Sequence, residues 1–422
     1  LTNQTDLSTF EASPELRQMG AIMHSTPVLL TQSGSITYAD NTLDTTNRDD
    51  YILVGTTQGV LHIVKAGTAS DVTANNNTAG NEVFAFVPEE MYSSQPTALL
   101  NPKNTPEGGM NELFYGVDGQ WVAHTEYVYA AGTATTQNPM PEGTFKVYDS
   151  DNKMGKQWVY GGLRMGGRSY YALDLTRLTA ATNNAPTVKF RINPEQNRVD
   201  GFDIPAGDTR YINIGKMGQS WSKPTIANVQ WKGKRRLVMF VGGGYDATGG
   251  SDGKGYEIFN YNQTNGVGAG VYMFDANTGE FLWSTYDAVK TPAVRGQTLI
   301  GDGDHLKYSV VSQIKVIDRE GDGDVDHLYF GDLGGQVFRI DLDKAHGASD
   351  TATNYAQQIT RIYNGHKENG YSPRFYEMPT FTVYNGAGGL FAVVSIGSGN
   401  RSTPLLGKLV NNQYITENET AE

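Results

Sequence analysis

The strongest chemistry in this 422-residue chain lies in nine consecutive positions, Asp318-Arg319-Glu320-Gly321-Asp322-Gly323-Asp324-Val325-Asp326. Acids stand at loop positions 1, 3, 5, 7 and 9, and glycine at position 6. Calcium takes roughly six to eight oxygen ligands, and alternate side chains of a tightly wound loop can converge on one such ion while glycine permits the turn. Asp318, Glu320, Asp322 and Asp326 would donate side-chain oxygens; Asp324, at position 7, would offer its backbone carbonyl. Position 12 is Tyr329 rather than a bidentate glutamate, so Asp326 would close the cage. Glu320 has a longer arm than the aspartate or asparagine that fits position 3 most readily. Five acids packed this closely repel one another unless a cation neutralises them, so the loop is expected to bind Ca2+.

Little else in the chain suggests chemistry. Gly266–Gly270 (GVGAG) superficially resembles a nucleotide loop, yet it runs into a strand-like VYMFD rather than a helix, which makes it a hairpin approach. No GxxxxGK[ST] or HExxH occurs, and the histidines at 24, 62, 124, 305, 327, 346 and 366 follow no ligand spacing. Arg164 and Arg168 read as loop cations, and the pairs Asp149/Asp151 and Asp302/Asp304 as surface turns. The aromatic residues read chiefly as core, with a few at the rim free to bind a partner or glycan. With no cysteine, disulfides, thiolate zinc sites and cysteine nucleophiles are excluded. No catalytic or organic-cofactor residue is assigned, and the chain is expected not to be an enzyme.

The acidic loop sits between two strand-like runs, Val310 to Ile317 and His327 to Phe330, where an EF-hand would have helices. The second run belongs to a pattern used four times: strand, glycine turn, strand. It appears in Tyr51 to Lys65, Trp158 to Thr176, Leu237 to Trp283 and His327 to Leu342. Short inner strands precede several copies (Ser25 to Leu30, Ser222 to Val229, Ser312 to Asp318, and later Met378 to Val383), and final strands end at Asp174, Asp275 and Asp341. A small antiparallel sheet of this kind buries its faces when stacked on copies of itself, which predicts an all-β fold, a modified β-propeller. Fifty glycines suit the repeated turns. Polar insertions are expected at 66–81, 131–156, 193–210 and 246–270, and a helix only near 89–100, where Pro96 limits it.

Thirty-three basic against 45 acidic residues give a formal charge of −12, which disfavours nucleic acid as partner. No apolar run is long enough for a membrane span, and neither end carries a visible targeting signal. The chain is expected to be a fragment of a longer protein whose signal peptide lies outside it.

The order of these motifs, YILVGTTQGVLHIV, NEVFAFVPEEM, WVYGGLRMGGRSYYALDLT, SWSKPTIANV, VMFVGGGYD, GVYMFDANTGEFLW and IDREGDGDVDHLYFGDLGGQVFRIDL, resembles the C-terminal domain of the PilY1/PilC family of type IV pilus tip-associated adhesins. The similarity runs from about Ser25 to about Arg401. It implies a seven-bladed propeller with one calcium site over 21–410, between an extension at 1–20 and a tail at 411–422. The family's ligands fall on Asp318, Glu320, Asp322, Asp324 (carbonyl) and Asp326. The resemblance further implies a secreted protein at the pilus tip on the cell surface, with outer-membrane association also in view. It would contact minor pilins and host or abiotic surfaces. It would promote pilus extension or oppose retraction, and support adhesion, twitching motility and natural transformation. Single motifs such as MFDANTGEFLW also look like quinoprotein repeats, which leaves a quinoprotein-type dehydrogenase, or a glycan-binding propeller, as alternatives.

Overall fold

The structure, a computed structural model, describes residues 19–39, 42–44, 47–67, 79–96, 98, 114–132, 143–180, 185–248, 261–285, 305–350, 355–368, 370–401, 408–410 and 413–415. The expected extension at 1–20, the Asp302/Asp304 pair and much of the insertions and tail fall largely outside these residues. Two compact units divide the chain, one of Leu1–Gly167 with Tyr171–Lys189, the other of Arg168–Tyr170 with Phe190–Glu422.

In the first unit a sheet runs in the order Glu82–Phe86, Leu61–Lys65, Arg48–Gly55, Val28–Ala39, Gly143–Lys146, Val128–Ala131, with Thr42–Asp44 paired to Val28–Ala39. Alternation sets its inner face: Leu53, Leu61 and Ile63 point into a core with Leu30, Met91, Trp121, Val159 and Leu173. Trp121–Glu126 pairs antiparallel with Lys156–Gly162. The helix expected near 89–100 is a short one, Glu89–Ser94, anchored by buried Met91.

The second unit carries two four-stranded antiparallel sheets. One runs Thr225–Trp231, Lys234–Gly242, Val271–Asp275, Phe281–Ser284, and the other Lys315–Ile317, His327–Gly331, Gln336–Leu342, Ala356–Asn364. The middle strands are buried on both faces, as blades stacked on neighbours require. Their side chains, among them Val238, Phe240, Met273, Trp283, Leu328, Phe330, Phe338 and Ile340, form one core. A further hairpin, Thr380–Gly386 with Gly389–Ser395, repeats the Thr225–Trp231/Lys234–Gly242 hairpin in its seven paired positions and its turn size.

The serine repeated at the head of three of these inner strands has a structural cause. Buried Ser25 and Ser222 accept hydrogen bonds from the amides of Gly55 and Gly242, each at 2.9 Å, and buried Ser312 donates to the Gly331 carbonyl at 2.9 Å. Each ties the approach of an inner strand to the end of the next one, where the ladder would leave a buried backbone group unpaired. Two of the three terminal aspartates close turns, Asp174 accepting from Thr176 N and Asp275 from Asn277 N and Thr278 N, while Asp341 pairs with His327 and Arg339. Residues 193–210, expected as a polar insertion, are instead structured. Arg198–Asp200 pairs with Thr187–Asn193, and a 3-10 helix over Thr209–Lys216 is capped by Asp208, which accepts from Arg210 N.

Asp332 lies fully buried in the turn between His327–Gly331 and Gln336–Leu342, and its carboxylate accepts from Gln336 N and Nε2, both at 2.9 Å. Burial pushes its pKa up to about 7, with the Gln336 hydrogen bonds pulling in the opposite direction. A raised carboxyl favours the folded state below its unfolded pKa near 4 and loses that contribution as pH rises through about 7. Asp332→Asn is therefore expected to flatten the fall in stability between pH 5 and 8, an effect on the order of a few kcal/mol. Urea unfolding at the two pH values checks it; an unchanged slope counts against the assignment.

Candidate metal centre

The acidic loop joins Lys315–Ile317 to His327–Gly331, the first two strands of one sheet. Its exit is pinned to the ladder: Asp326 N donates to Ile317 O and Leu342 N donates to Asp326 O, each at 2.9 Å. Gly321 and Gly323 take left-handed backbone, φ +74° and +89°, which winds the segment tightly. The loop's own amides bind part of its charge. Asp318 accepts from Gly321 N and Gly323 N at 2.7 Å each, Asp322 Oδ1 from Asp324 N at 2.9 Å, and Asp326 Oδ2 from Arg319 N at 2.6 Å.

Three of the five acids meet on one cation. Lys344 Nζ lies 2.8 Å from Glu320 Oε1, 2.7 Å from Asp322 Oδ2 and 3.1 Å from Asp326 Oδ1. Asp324 turns its buried carboxylate away from this group. Its Oδ2 accepts from Gln230 Nε2 at 2.6 Å, and Arg235 Nε stands 2.8 Å from Oδ1 as an ion pair outside good hydrogen-bond alignment. Arg235 also donates to Gly323 O at 2.9 Å. Asp318 is likewise not in contact with Lys344, but each of its oxygens spends one lone pair on an amide and keeps another.

Electrostatics follow these contacts. Hydrogen bonds from Lys344 and from the Asp324 amide hold the Asp322 carboxyl below the usual range. Burial works to raise Asp326, but the Arg319 amide and Lys344 outweigh it and keep that carboxyl low too. Desolvation opposes the Lys344 charge, while Asp322, Glu320 and Asp326 together raise its pKa well above that of an ordinary lysine.

Among the described residues no group of three or more histidine, aspartate or glutamate side chains is placed so that it could hold a metal ion. The donor chemistry nevertheless fits a hard cation: every candidate ligand is oxygen, and an ammonium already occupies the point on which Glu320, Asp322 and Asp326 converge. Lys344 was not apparent from motif spacing. The signal for it is register: His327 pairs with Asp341 where the ladder ends beside the loop, and Lys344 follows three residues on.

The other candidates resolve into structural roles. Three of the GVGAG amides are occupied, with Val267 N on Asn265 Oδ1, Gly268 N on Lys216 O and Ala269 N on Gly266 O, which takes them away from any phosphate. Arg164 is buried against Asp118 at 2.8 Å, and Arg168 donates to the Gly215 and Met217 carbonyls at the end of the 3-10 helix. Asp149 pairs with Lys146 and Lys153, and Asp151 with Arg177, as surface turns. Histidines 24, 62, 124 and 327 each pair with a single carboxylate, on Asp118, Glu82, Glu126 and Asp341. Trp121, Trp158, Trp231 and Trp283 are buried, while half-buried Trp221 stacks on Tyr245 at 4.7 Å. No helix among the described residues is long and apolar enough to cross a membrane.

Comparison with known proteins identifies the family. A type IV pilus biogenesis factor PilY1 homolog from Xylella fastidiosa is 23% identical over 355 residues, covering 79% of this chain and 18% of the relative. The type IV pilus biogenesis factor PilY1 of Pseudomonas aeruginosa strain UCBPP-PA14 is 23% identical over 338 residues, covering 77% and 21%. The chain thus spans about a fifth of the length of these relatives. The crystal structure of the Pseudomonas aeruginosa PilY1 C-terminal domain aligns with a TM-score of 0.43 at 18% identity, over 83% of this chain and 52% of that one. The description "PilY1 beta-propeller domain" fits residues 19–372, most of the chain and all of the acidic loop, and on that match the chain belongs to the PilY1 β-propeller domain family.

Proposed function

We propose that this chain is the calcium-binding propeller of a type IV pilus biogenesis factor that acts at the cell surface without catalysing a reaction. The supporting observation is the five-position acid series, held by left-handed glycines, with three carboxylates gathered on one cation. Bound calcium would supply a divalent charge that neutralises the loop. Asp318, Glu320, Asp322 and Asp326 would hold it with side-chain oxygens and Asp324 with its carbonyl. That the relatives are type IV pilus biogenesis factors supports placement with minor pilins at the pilus tip, promotion of extension over retraction, and contributions to adhesion, twitching and transformation.

A switch needs differential affinity of calcium for two loop states, and the ladder bonds at Asp326 connect the loop to the neighbouring strands. The test is Asp326→Ala in the full-length protein. Loss of surface pili and twitching, with normal protein level, is expected; a variant that loses calcium but keeps both refutes the regulatory role.

A further inference from the structure

We propose that Lys344 is a tethered counter-ion of the 318–326 loop, which holds it in the calcium-free protein and must leave as calcium enters, thereby setting the calcium affinity. This inference rests on the calcium reading above. Lys344 stands just after Gln336–Leu342, and its ammonium offers three donors, all matched to acceptors on Glu320, Asp322 and Asp326. The oxygens it takes are Asp322 Oδ2 and Asp326 Oδ1, those which the loop's own amides leave over, together with Glu320 Oε1. A calcium ion would need the same oxygens at about 2.3–2.6 Å. From three shared oxygens, that ion falls in the volume of Nζ, so the two cations exclude each other.

The exchange requires motion of one side chain. The backbone around Lys344 is fixed from behind: Ala345 N donates to Asp343 Oδ1 at 3.0 Å, Lys232 N to His346 Nδ1 at 3.0 Å, and Gly233 N to His346 O at 2.8 Å. The Lys344 side chain itself is 22% exposed, which leaves it a path to solvent. Meanwhile Asp324 stays held by Gln230 and Arg235, and Asp318 by the glycine amides, so the loop backbone keeps its winding after the lysine departs.

Calcium titration by calorimetry of the parent chain and Lys344→Gln tests this, with melting temperatures in chelator and in saturating calcium. The variant is expected to bind calcium about 10- to 100-fold more tightly, the range of ordinary coupling between two binding events. In chelator it should melt below the parent, and in calcium that deficit should close. Equal or weaker calcium affinity in the variant overturns the inference while leaving the site. Binding by the variant alone supports the inference and removes calcium from the native chain; binding by neither overturns both. If Lys344→Gln does not fold, Lys344→Arg, which keeps the charge but not the compact three-donor head, should still shift the affinity, and an unshifted value counts against the proposal.

Discussion

Asp326→Asn is expected to abolish the rise in melting temperature that calcium produces in the parent chain. Asp326 is the acid closest to the sheet: its side chain is only 6% exposed, its backbone bonds both Ile317 and Leu342, and its two oxygens face Arg319 N and Lys344. Asparagine preserves the shape and one amide acceptor while removing a full negative charge, so the loss can be assigned to the metal rather than to the fold. Because the Arg319 amide and Lys344 overcome the effect of burial, the native carboxyl stays ionised through neutral pH and is available as a charged ligand. A ligand present at a hundred times its Kd stabilises the folded state by about 2.7 kcal/mol, and that increment should disappear in the variant. Melts in calcium and in chelator measure it; an undiminished rise in Asp326→Asn removes Asp326 from the ligand set.

Gly268→Ala should be among the costly conservative substitutions in the turns, at about 3 kcal/mol or more. Two causes coincide there. Gly268 has φ +74°, where an L residue is strained, and a methyl group on it would overlap the Gly244 carbonyl and crowd Ser309 Oγ. Its carbonyl also accepts from Val310 N at 2.8 Å, so the backbone cannot move away without breaking that bond. Gly321→Ala supplies the comparison: it shares φ +74° but has open space around its Cβ. That change should cost only the left-handed penalty of about 1–2 kcal/mol. Urea unfolding of both variants separates conformational strain from overlap; equal losses would show that crowding at Gly268 is relieved elsewhere.

What could be read in the sequence was local. The acidic loop is visible because its candidate ligands sit within nine residues, and the hairpins because strand alternation and glycine turns repeat over short windows. The serines preceding the inner strands were visible as a repeat, though their function, bonding the far end of the next strand, depends on pairing. Lys344 and Arg235, which balance the loop's charge, come from other strands and are set by register, which no spacing rule within the loop contains. Arg164 looked like a loop cation because its partner Asp118 lies far away in sequence, although a positively charged side chain with φ +50° is an unusual turn residue. The 3-10 helix over Thr209–Lys216 is hidden in the sequence for a different reason: its Asp208 cap is a legible start signal, but the polar residues before it mask the element that follows.

Calcium counting on the intact chain tests the central claim most directly. Native mass spectrometry in calcium, followed by chelation, should give one ion bound per chain, removed by chelator and missing from Asp326→Asn. A folded chain that stays metal-free at millimolar calcium would contradict the account, and the 318–326 loop would then be an acidic turn neutralised permanently by Lys344.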